Sequence, residues 1–294
     1  MIDIDQYLKE KQAIVNQAIQ GYLPHSGPPV IREAMCYSLE AGGKRLRPIL
    51  TLAVADTIGS EDSSVLDVAC AIEMIHTYSL IHDDLPAMDD SDLRRGKPSC
   101  HRVYGDAMAI LAGDGLLTLA FEVLAKFGYR GNRADKALRI TAELAAASGI
   151  TGMIGGQVLD LEAEGNQLTL SELNDLSARK TGALLKASVL CGGIAADASS
   201  EQLEMLEVYA ASLGTAFQIV DDLLDWESSA EELGKPTGAD QIRYKPTYPS
   251  VLGPEKAREK AEMLYEQAVV SIEELNRPTY ILEELAKRLI FRKK

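Results

Sequence analysis

Apolar residues recur at helical spacing along almost the whole chain, and this periodicity constrains the fold more than any other feature. In residues 4–20, for example, Leu8 and Val15 fall on one side of a helix, with charged residues between them. The same periodicity covers 29–40, 46–58, 63–84, 103–127, 133–149, 171–191, 201–226, 255–275 and 279–291. Runs of alternating β-branched residues are missing from the sequence, and only 5% of its residues are aromatic. The sequence therefore predicts an all-α protein of roughly ten helices.

The expected number of domains follows from length and linkers together. At about 150 residues per domain, a chain of 294 residues would divide into two domains. No linker divides it, however, because the stretch 234–254, with Pro236, Pro246 and Pro249, has the lysine and tyrosine content of an ordered loop. We therefore expect one domain over residues 1–294.

The net charge of the chain is −14, from 30 basic and 44 acidic side chains. Such a chain has no general basic surface for a nucleic-acid backbone, so we expect no nucleic acid partner. Its longest uncharged stretch, residues 144–159, is shorter than the ~18–20 apolar residues that a membrane span requires. The first residues lack the basic and apolar regions of a signal peptide. We expect a cytoplasmic protein without a membrane span.

Two clusters of carboxylates adjoin apolar stretches. The first is the sequence HDDLPAMDD at 82–90, and the second is DDLLD at 221–225. Acidic residues normally lie on solvated faces, because uncompensated carboxylates are costly to bury. The position of both clusters therefore indicates a binding function rather than solubility alone.

The spacing within each cluster places carboxylates on a common face. Asp221 and Asp225 are four residues apart, so on a helix they lie about 40° from each other. Asp83 and Asp89 are six residues apart, which would separate them by about 120° on an unbroken helix. Pro86 cannot continue the hydrogen-bond ladder, so we expect the helix to bulge or end there. Two similar carboxylate pairs could then face each other across a helical bundle.

Facing carboxylates need a cation, and oxygen ligands without paired histidine or cysteine favour magnesium over zinc. Magnesium retains water and is usually held by a few carboxylates together with substrate phosphates. A bound cation would allow this acidic chain to bind a polyanion. Two basic segments, 42–47 (GGKRLR) and 94–97 (RRGK), would supply fixed cations for the same phosphates, Arg45 among them.

These motifs together resemble those of trans-isoprenyl diphosphate synthases of the short-chain, farnesyl diphosphate synthase type. The resemblance extends from GGKRLRP at 42–48, through both aspartate motifs, to Lys235 and the sequence TYP at 247–249. It implies the isoprenoid synthase fold, a helical bundle around a deep central cavity, and a homodimer. It also implies three magnesium ions in each active site, bound by Asp83, Asp84, Asp89, Asp221, Asp222 and Asp225.

The resemblance further implies the reaction and its substrates. An allylic diphosphate, dimethylallyl or geranyl, ionises, and isopentenyl diphosphate attacks the cation to give farnesyl diphosphate. The departing diphosphate accepts the proton, so no side-chain base is assigned. The residues implied to hold isopentenyl diphosphate are Lys44, Arg47, His76 and Arg95. Those implied to act on the allylic substrate are Arg94, Lys180, Thr181, Gln218 and Lys235, of which Lys180, Thr181 and Gln218 are the catalytic candidates.

Product length depends on what lies below the first aspartate motif. Tyr78 precedes Asp83 by five residues, about 7.5 Å along a helix, with Ser79 beside it. A ring at this position could form the floor of the pocket and stop growth at fifteen carbons. An aromatic residue here, with the two-residue insertion in the motif, resembles the bacterial farnesyl diphosphate synthases. The alternatives are a core tyrosine and a twenty-carbon, geranylgeranyl product.

One segment departs from the family pattern. The family has Asp, three residues and then Gly-Lys after the second motif, whereas this chain has Tyr244 before Lys245 in that place. No role is therefore assigned to Asp240 or Lys245.

Three other functions remain to be weighed. Glu73 and His76 have the Glu-x-x-His spacing of a di-iron bundle, but the sequence has no second copy. A terpene cyclase would lack the basic site for a second diphosphate. A non-catalytic partner subunit would tend to lose the aspartates, which are intact here. The basic C-terminal residues, which are Lys287, Arg288 and 292–294, are either a solvated helix end or a tail that closes over the diphosphates.

Overall fold

The computed structural model describes residues 3–233 and 246–292, and helices form nearly all of its regular structure. The helices are α1 (Ile4–Gly21), α2 (Pro29–Leu39), α3 (Leu46–Ile58), α4 (Val65–Asp83), α5 (Cys100–Tyr104), α6 (Asp106–Arg130), α7 (Ala134–Ser148), α8 (Met153–Glu162), α9 (Leu170–Ser177), α10 (Ala183–Ala195), α11 (Ser200–Leu233), α12 (Tyr248–Leu252), α13 (Pro254–Glu273) and α14 (Tyr280–Ile290). A π-helix, Ala178–Gly182, lies between α9 and α10. The prediction of an all-α protein is confirmed.

Several elements differ from the sequence prediction. Strands β1 (Leu93–Arg94) and β2 (Lys97–Pro98) form a small antiparallel hairpin that is too short to produce an alternating pattern. Helix α8 begins within the glycine-containing stretch 144–159, at residues for which the sequence predicts no helix, and it extends to Glu162. The predicted helix 171–191 is divided by the π-helix, whose wider turn shifts the register of the side chains.

Contacts between Cα atoms group the chain into two compact units. The first unit comprises Met1–Ala142 with Ile194–Ala196, and the second comprises Glu143–Gly193 with Asp197–Lys294. The expectation of one domain over residues 1–294 stays a prediction.

In the first unit, α4 packs against α3 and α6, and α2 also packs on α6. Helix α4 is buried on all sides along most of its length, with Val68, Ile72 and Ile75 fully enclosed. An apolar surface around the whole circumference is typical of a central core helix. The core therefore fixes the position of Asp83, the last residue of α4.

In the second unit, the long helix α11 packs against α13, the π-helix and α12. The π-helix also packs against α8, and this contact requires a glycine. A Cβ atom on Gly156 would lie 2.2 Å from the backbone nitrogen of Lys180, so no side chain fits there. The close approach of α8 determines where the π-helix presents Lys180 and Thr181.

Two stretches, Asp106–Arg130 and Ala134–Glu162, have the length and apolar composition of a membrane-crossing helix. The first is α6, which packs against α2, α4 and α5 in the first unit. A core helix of a globular unit meets the same criteria, so composition alone does not indicate a membrane span.

Candidate active site

The first aspartate motif begins where α4 ends. The helix stops at Asp83, three residues before Pro86, as the sequence predicts. The backbone N–H of Asp89 then donates to the carbonyl of Asp83 at 2.9 Å. This turn absorbs the two extra residues and brings Asp89 back beside Asp83.

Asp84 has a different environment from the other carboxylates of this motif. It is buried, and the Nε of Arg94 lies 3.1 Å from both of its carboxylate oxygens. The Nη2 atom of Arg94 donates to the same carboxylate. Hydrogen bonding with Asp84 raises the pKa of Arg94. Hairpin β1–β2 carries Arg94, so this ion pair holds the hairpin beside the end of α4.

The second aspartate motif lies on α11. Asp222 accepts hydrogen bonds from the Nε2 of Gln218 at 2.8 Å and from the backbone N–H of Tyr248 at 2.9 Å. Burial raises the pKa of Asp222 to about 6, and the charges of Asp221 and Asp225 add to this increase. A buried carboxylate with two other carboxylates beside it would be stabilised by a bound cation.

Arg292 contacts the second motif from the C-terminal end of the chain. Its Nη2 atom donates to Asp221, and its guanidinium lies 4.5 Å from the centre of the Phe217 ring. The sequence left open whether the basic C-terminal residues are solvated or close over the diphosphates, and it indicated no partner for Arg292. The structure identifies Asp221 as the partner of Arg292.

The oxygen donors of each motif, taken by itself, fit magnesium that is bound together with a diphosphate. Within residues 3–233 and 246–292, no three acidic, histidine or cysteine groups converge to hold an ion by themselves. Magnesium does not require this, because it retains water and takes further oxygens from substrate phosphates. The metal ligands and the number of ions stay a prediction.

Three of the residues implied to hold isopentenyl diphosphate, Arg47, His76 and Arg95, lie close together in the first unit. The Nη1 of Arg47 lies 3.3 Å from the Nε2 of His76. Burial, followed by the charges of Arg47 and Arg95, holds the pKa of His76 well below its usual value. Because arginine can only donate, the neutral His76 accepts at Nε2. Lys44 is exposed in the loop that leads to α3.

Arg45 does not join this cluster, so the prediction that it supplies a cation to phosphates is wrong. It is only 4% exposed, and its Nη1 donates to the Oε1 of Glu73 at 2.8 Å. The side chain of Arg45 points inward, where its guanidinium pairs with the buried carboxylate of Glu73. The same contact occupies the glutamate that a di-iron site would require.

Two of the three catalytic candidates of the second unit, Thr181 and Gln218, are joined by a hydrogen bond, and the third, Lys180, has a partner of its own. The hydroxyl of Thr181 donates to Gln218 at 2.8 Å, and Gln218 donates in turn to Asp222. The Nζ of Lys180 lies 2.6 Å from the Oδ2 of Asp160 on α8. Asp160 was missed in the sequence, although a carboxylate directly after a long apolar stretch was the signal used for the other motifs.

Tyr78 is buried on α4, at 5% exposure. Its ring meets the ring of His82 edge-on, with 5.7 Å between centroids. Its hydroxyl has no hydrogen-bond partner among the described residues, and burial, then the charge of Asp83, raises its pKa to about 12. The Oγ of Ser79 donates to the carbonyl of His76 at 2.9 Å. The role of Tyr78 and Ser79 in product length stays a prediction.

Several residues named in the sequence analysis lie outside the described ranges. They are Lys235, Pro236, Asp240, Tyr244, Lys245 and the last two residues of the basic stretch 292–294.

Known proteins resemble this chain over most of its length. It is 48% identical over 268 residues to the farnesyl diphosphate synthase of Geobacillus stearothermophilus, covering 91% of this chain and 90% of that one. It is 46% identical to a heterodimeric geranylgeranyl pyrophosphate synthase large subunit of Arabidopsis thaliana, covering 90% and 73%. A candidate farnesyl-diphosphate synthase from Marinomonas sp. MED121 has a solved structure with a TM-score of 0.86, 39% identity and coverage of 99% and 100%. The model of the polyprenyl synthetase family matches residues 28–282, so the chain belongs to that family and has its isoprenoid synthase fold.

Proposed function

We propose that this chain is a magnesium-dependent prenyltransferase that condenses dimethylallyl or geranyl diphosphate with isopentenyl diphosphate to give farnesyl diphosphate. One observation carries the proposal. Helix α4 bears both His76, in the arginine cluster, and Asp83, in the first aspartate motif. The two residues are seven apart, so they lie ~10.5 Å from each other along the helix and within ~20° of the same face. One helix face thus serves a metal-free anion site and a metal-dependent one.

In this proposal, Arg47, His76 and Arg95 hold isopentenyl diphosphate, together with Lys44. Arg47 supplies fixed donors, and His76 remains neutral, which leaves one ring N–H available to a phosphate oxygen. The absence of a carboxylate from this set suits a diphosphate that does not require a metal.

The allylic diphosphate lies with the aspartate motifs, where bound magnesium would neutralise the leaving group. The donors for its oxygens are Arg94, Lys180 and Lys235. Asp84 holds Arg94 in place, and Asp160 holds Lys180. Thr181 and Gln218 direct dipoles at the developing cation without a nucleophile strong enough to trap it.

The bond changes balance without a side-chain base. The allylic C–O bond breaks and its electron pair leaves with the diphosphate. The double bond of isopentenyl diphosphate then attacks the allylic carbon, and a proton passes from the new chain to the departed diphosphate. The residues of this chain position both substrates and exclude water while the cation exists.

The same proposal includes the physical state of the enzyme. It is a homodimer in the cytoplasm, with no nucleic acid partner and no membrane span, and three magnesium ions act in each active site. Dimerisation is supported by the resemblance to the family alone. The net charge of −14 argues against a nucleic acid partner.

Product analysis tests the proposed function. The protein with magnesium receives isopentenyl diphosphate and, in separate reactions, five-, ten- and fifteen-carbon allylic diphosphates. We expect a fifteen-carbon product from the two shorter primers and no extension of the longest. A twenty-carbon product would support the geranylgeranyl alternative. No condensation with any primer would support a non-catalytic partner subunit.

Replacing Tyr78 with alanine should lengthen the product beyond fifteen carbons. The change removes a buried ring whose hydroxyl has no partner to anchor it among the described residues, and it opens space beneath Asp83. Chromatography of the products measures the shift. Tyr209→Phe is the matched control. Tyr209 is also a buried tyrosine, but it lies in the second unit, where its hydroxyl donates to the carbonyl of Leu282. An unchanged product from Tyr78→Ala would show that another residue sets the length.

A further inference from the structure

We propose that Arg45 is a positioning residue that holds the loop 42–47 in the conformation that presents Lys44 and Arg47 to isopentenyl diphosphate. It does this from beneath the site, without contacting the ligand. The inference rests on the proposed function of the site.

A single guanidinium ties together four parts of the first unit. The Nε of Arg45 donates to the Oδ1 of Asn16 on α1 at 2.8 Å, and Nη1 donates to the carbonyl of Gly42 at 3.0 Å. Nη1 also donates to Glu73 on α4 at 2.8 Å, and Nη2 donates to the carbonyl of Leu39 at the end of α2. The loop is therefore fixed at its start, at its glycine and against two helices.

The backbone of the loop needs such support. Gly42 and Gly43 have φ angles of 95° and 117°, and Arg45 itself has φ 51° and ψ 36°, the left-handed conformation. A residue with a long side chain adopts this conformation only where its surroundings impose it. Arg45 directly precedes α3, so its backbone angles set the direction of Lys44 before it and of Arg47 in the first turn after it.

Further contacts hold the same loop without using its cations. Gln12 donates to the carbonyl of Gly43 at 2.7 Å, and Arg95 donates to the carbonyl of Gly42. A Cβ atom on Gly43 would lie 2.3 Å from the guanidinium carbon of Arg95. The loop thus fits closely under Arg95, and a small shift of its backbone would displace one of the proposed ligand-binding arginines.

The two arginines of the loop reach α4 one turn apart. Arg45 pairs with Glu73, and Arg47 contacts His76, three residues further along the helix. The first contact is buried, with side-chain exposures of 3% and 1%, while the second lies at the anion site. A buried ion pair is weak evidence for stability, because well-packed apolar side chains would serve the core as well or better. Its position below Arg47 and His76 indicates that it serves their alignment.

The test replaces the pair with apolar side chains of similar size and measures metal-free binding of isopentenyl diphosphate. In the double variant Arg45→Met with Glu73→Leu, no charge is left buried and unpaired. We expect it to fold with a melting temperature near that of the parent protein. Its Kd for isopentenyl diphosphate, measured by titration calorimetry without magnesium, should rise at least ~10-fold, since the donors lose their alignment. The KM for the allylic diphosphate should remain within about twofold of the parent value.

The matched control is the double variant Arg133→Met with Asp62→Leu. This pair, at 2.8 Å in the same unit, lies outside the loop and the anion cluster. Its removal should leave the Kd for isopentenyl diphosphate unchanged. If the Arg45 and Glu73 double variant fails to fold, the same titration is made with Arg45→Lys. That single change keeps the positive charge beside Glu73 but loses the fork that reaches Asn16 and the carbonyls. A raised Kd for isopentenyl diphosphate supports the inference, and the parent Kd overturns it.

The outcomes separate this inference from the proposed function. A folded variant with the parent Kd would overturn the inference, even if the parent protein makes prenyl product. A parent protein that binds isopentenyl diphosphate but condenses it with no primer would overturn the proposed function. In that case a loss of binding in the variant would still support the role of Arg45.

Discussion

Asp83→Ala should lower kcat/KM by at least ~1,000-fold, about 4 kcal/mol of transition-state stabilisation. Asp83 ends α4 and is held beside Asp89 by the hydrogen bond between their backbones, so we propose it as the principal metal ligand of the first motif. Loss of this carboxylate would weaken neutralisation of the leaving diphosphate. We expect a similar loss for Asp225→Ala, because Asp225 is the last of the implied metal-binding aspartates of the second motif, as Asp89 is of the first. Steady-state kinetics at several magnesium concentrations measure both effects.

Asp90→Ala is the control for this experiment. Asp90 adjoins Asp89 in the same motif but is exposed, and it accepts from the Nη2 of Arg102 at 3.0 Å. Its removal costs only a surface ion pair, so kcat/KM should change by less than about threefold. Parent-like rates for Asp83→Ala would refute the metal assignment. Equal losses for the two variants would indicate that the turn tolerates no change of charge.

Arg47→Ala should raise the KM for isopentenyl diphosphate about 10- to 100-fold, with little change in the KM for the allylic substrate. A hydrogen bond to a charged group contributes about 1.5–3 kcal/mol, which corresponds to this range. The first turn of α3 presents Arg47 to His76, and the allylic donors lie elsewhere in the chain. Initial rates with one substrate varied at a time separate the two KM values.

The control is Arg102→Ala, which removes a cation of the same unit that binds Asp90 and Asp92. It should alter neither KM by more than about twofold. An Arg47→Ala variant that raised both KM values equally would contradict a separate metal-free site. It would indicate instead that both diphosphates share one cluster of cations.

Much of the fold could be predicted from the sequence, because helical periodicity is local. The segments predicted as helices all contain helices, and α4 ends before Pro86 as expected. Helix α8 was missed because its glycines interrupt the apolar pattern. One of them, Gly156, is required by the close approach of the Lys180 backbone. The π-helix was missed because a shift of one residue in the turn leaves no mark on composition.

The candidate residues could be found in the sequence because each motif is local, whereas their partners lie far away along the chain. Clusters such as 82–90 and 221–225 lie within a few residues, and their chemistry follows from residue type and spacing. The ion pairs join residues far apart: Arg45 and Glu73 are separated by 28 positions, and Arg292 and Asp221 by 71. No local pattern could show which arginine faces the site and which is buried.

The sequence by itself determined the helical class, the acidic and basic motifs and hence the family chemistry, since each depends on neighbours along the chain. Only the tertiary structure decided how those charges are used. It buried Arg45 against Glu73 and left Arg47 beside His76, although both arginines belong to one motif. The physical reason is that burial of a charge requires a partner, and the packing of α1, α2 and α4 decides which partner is within reach.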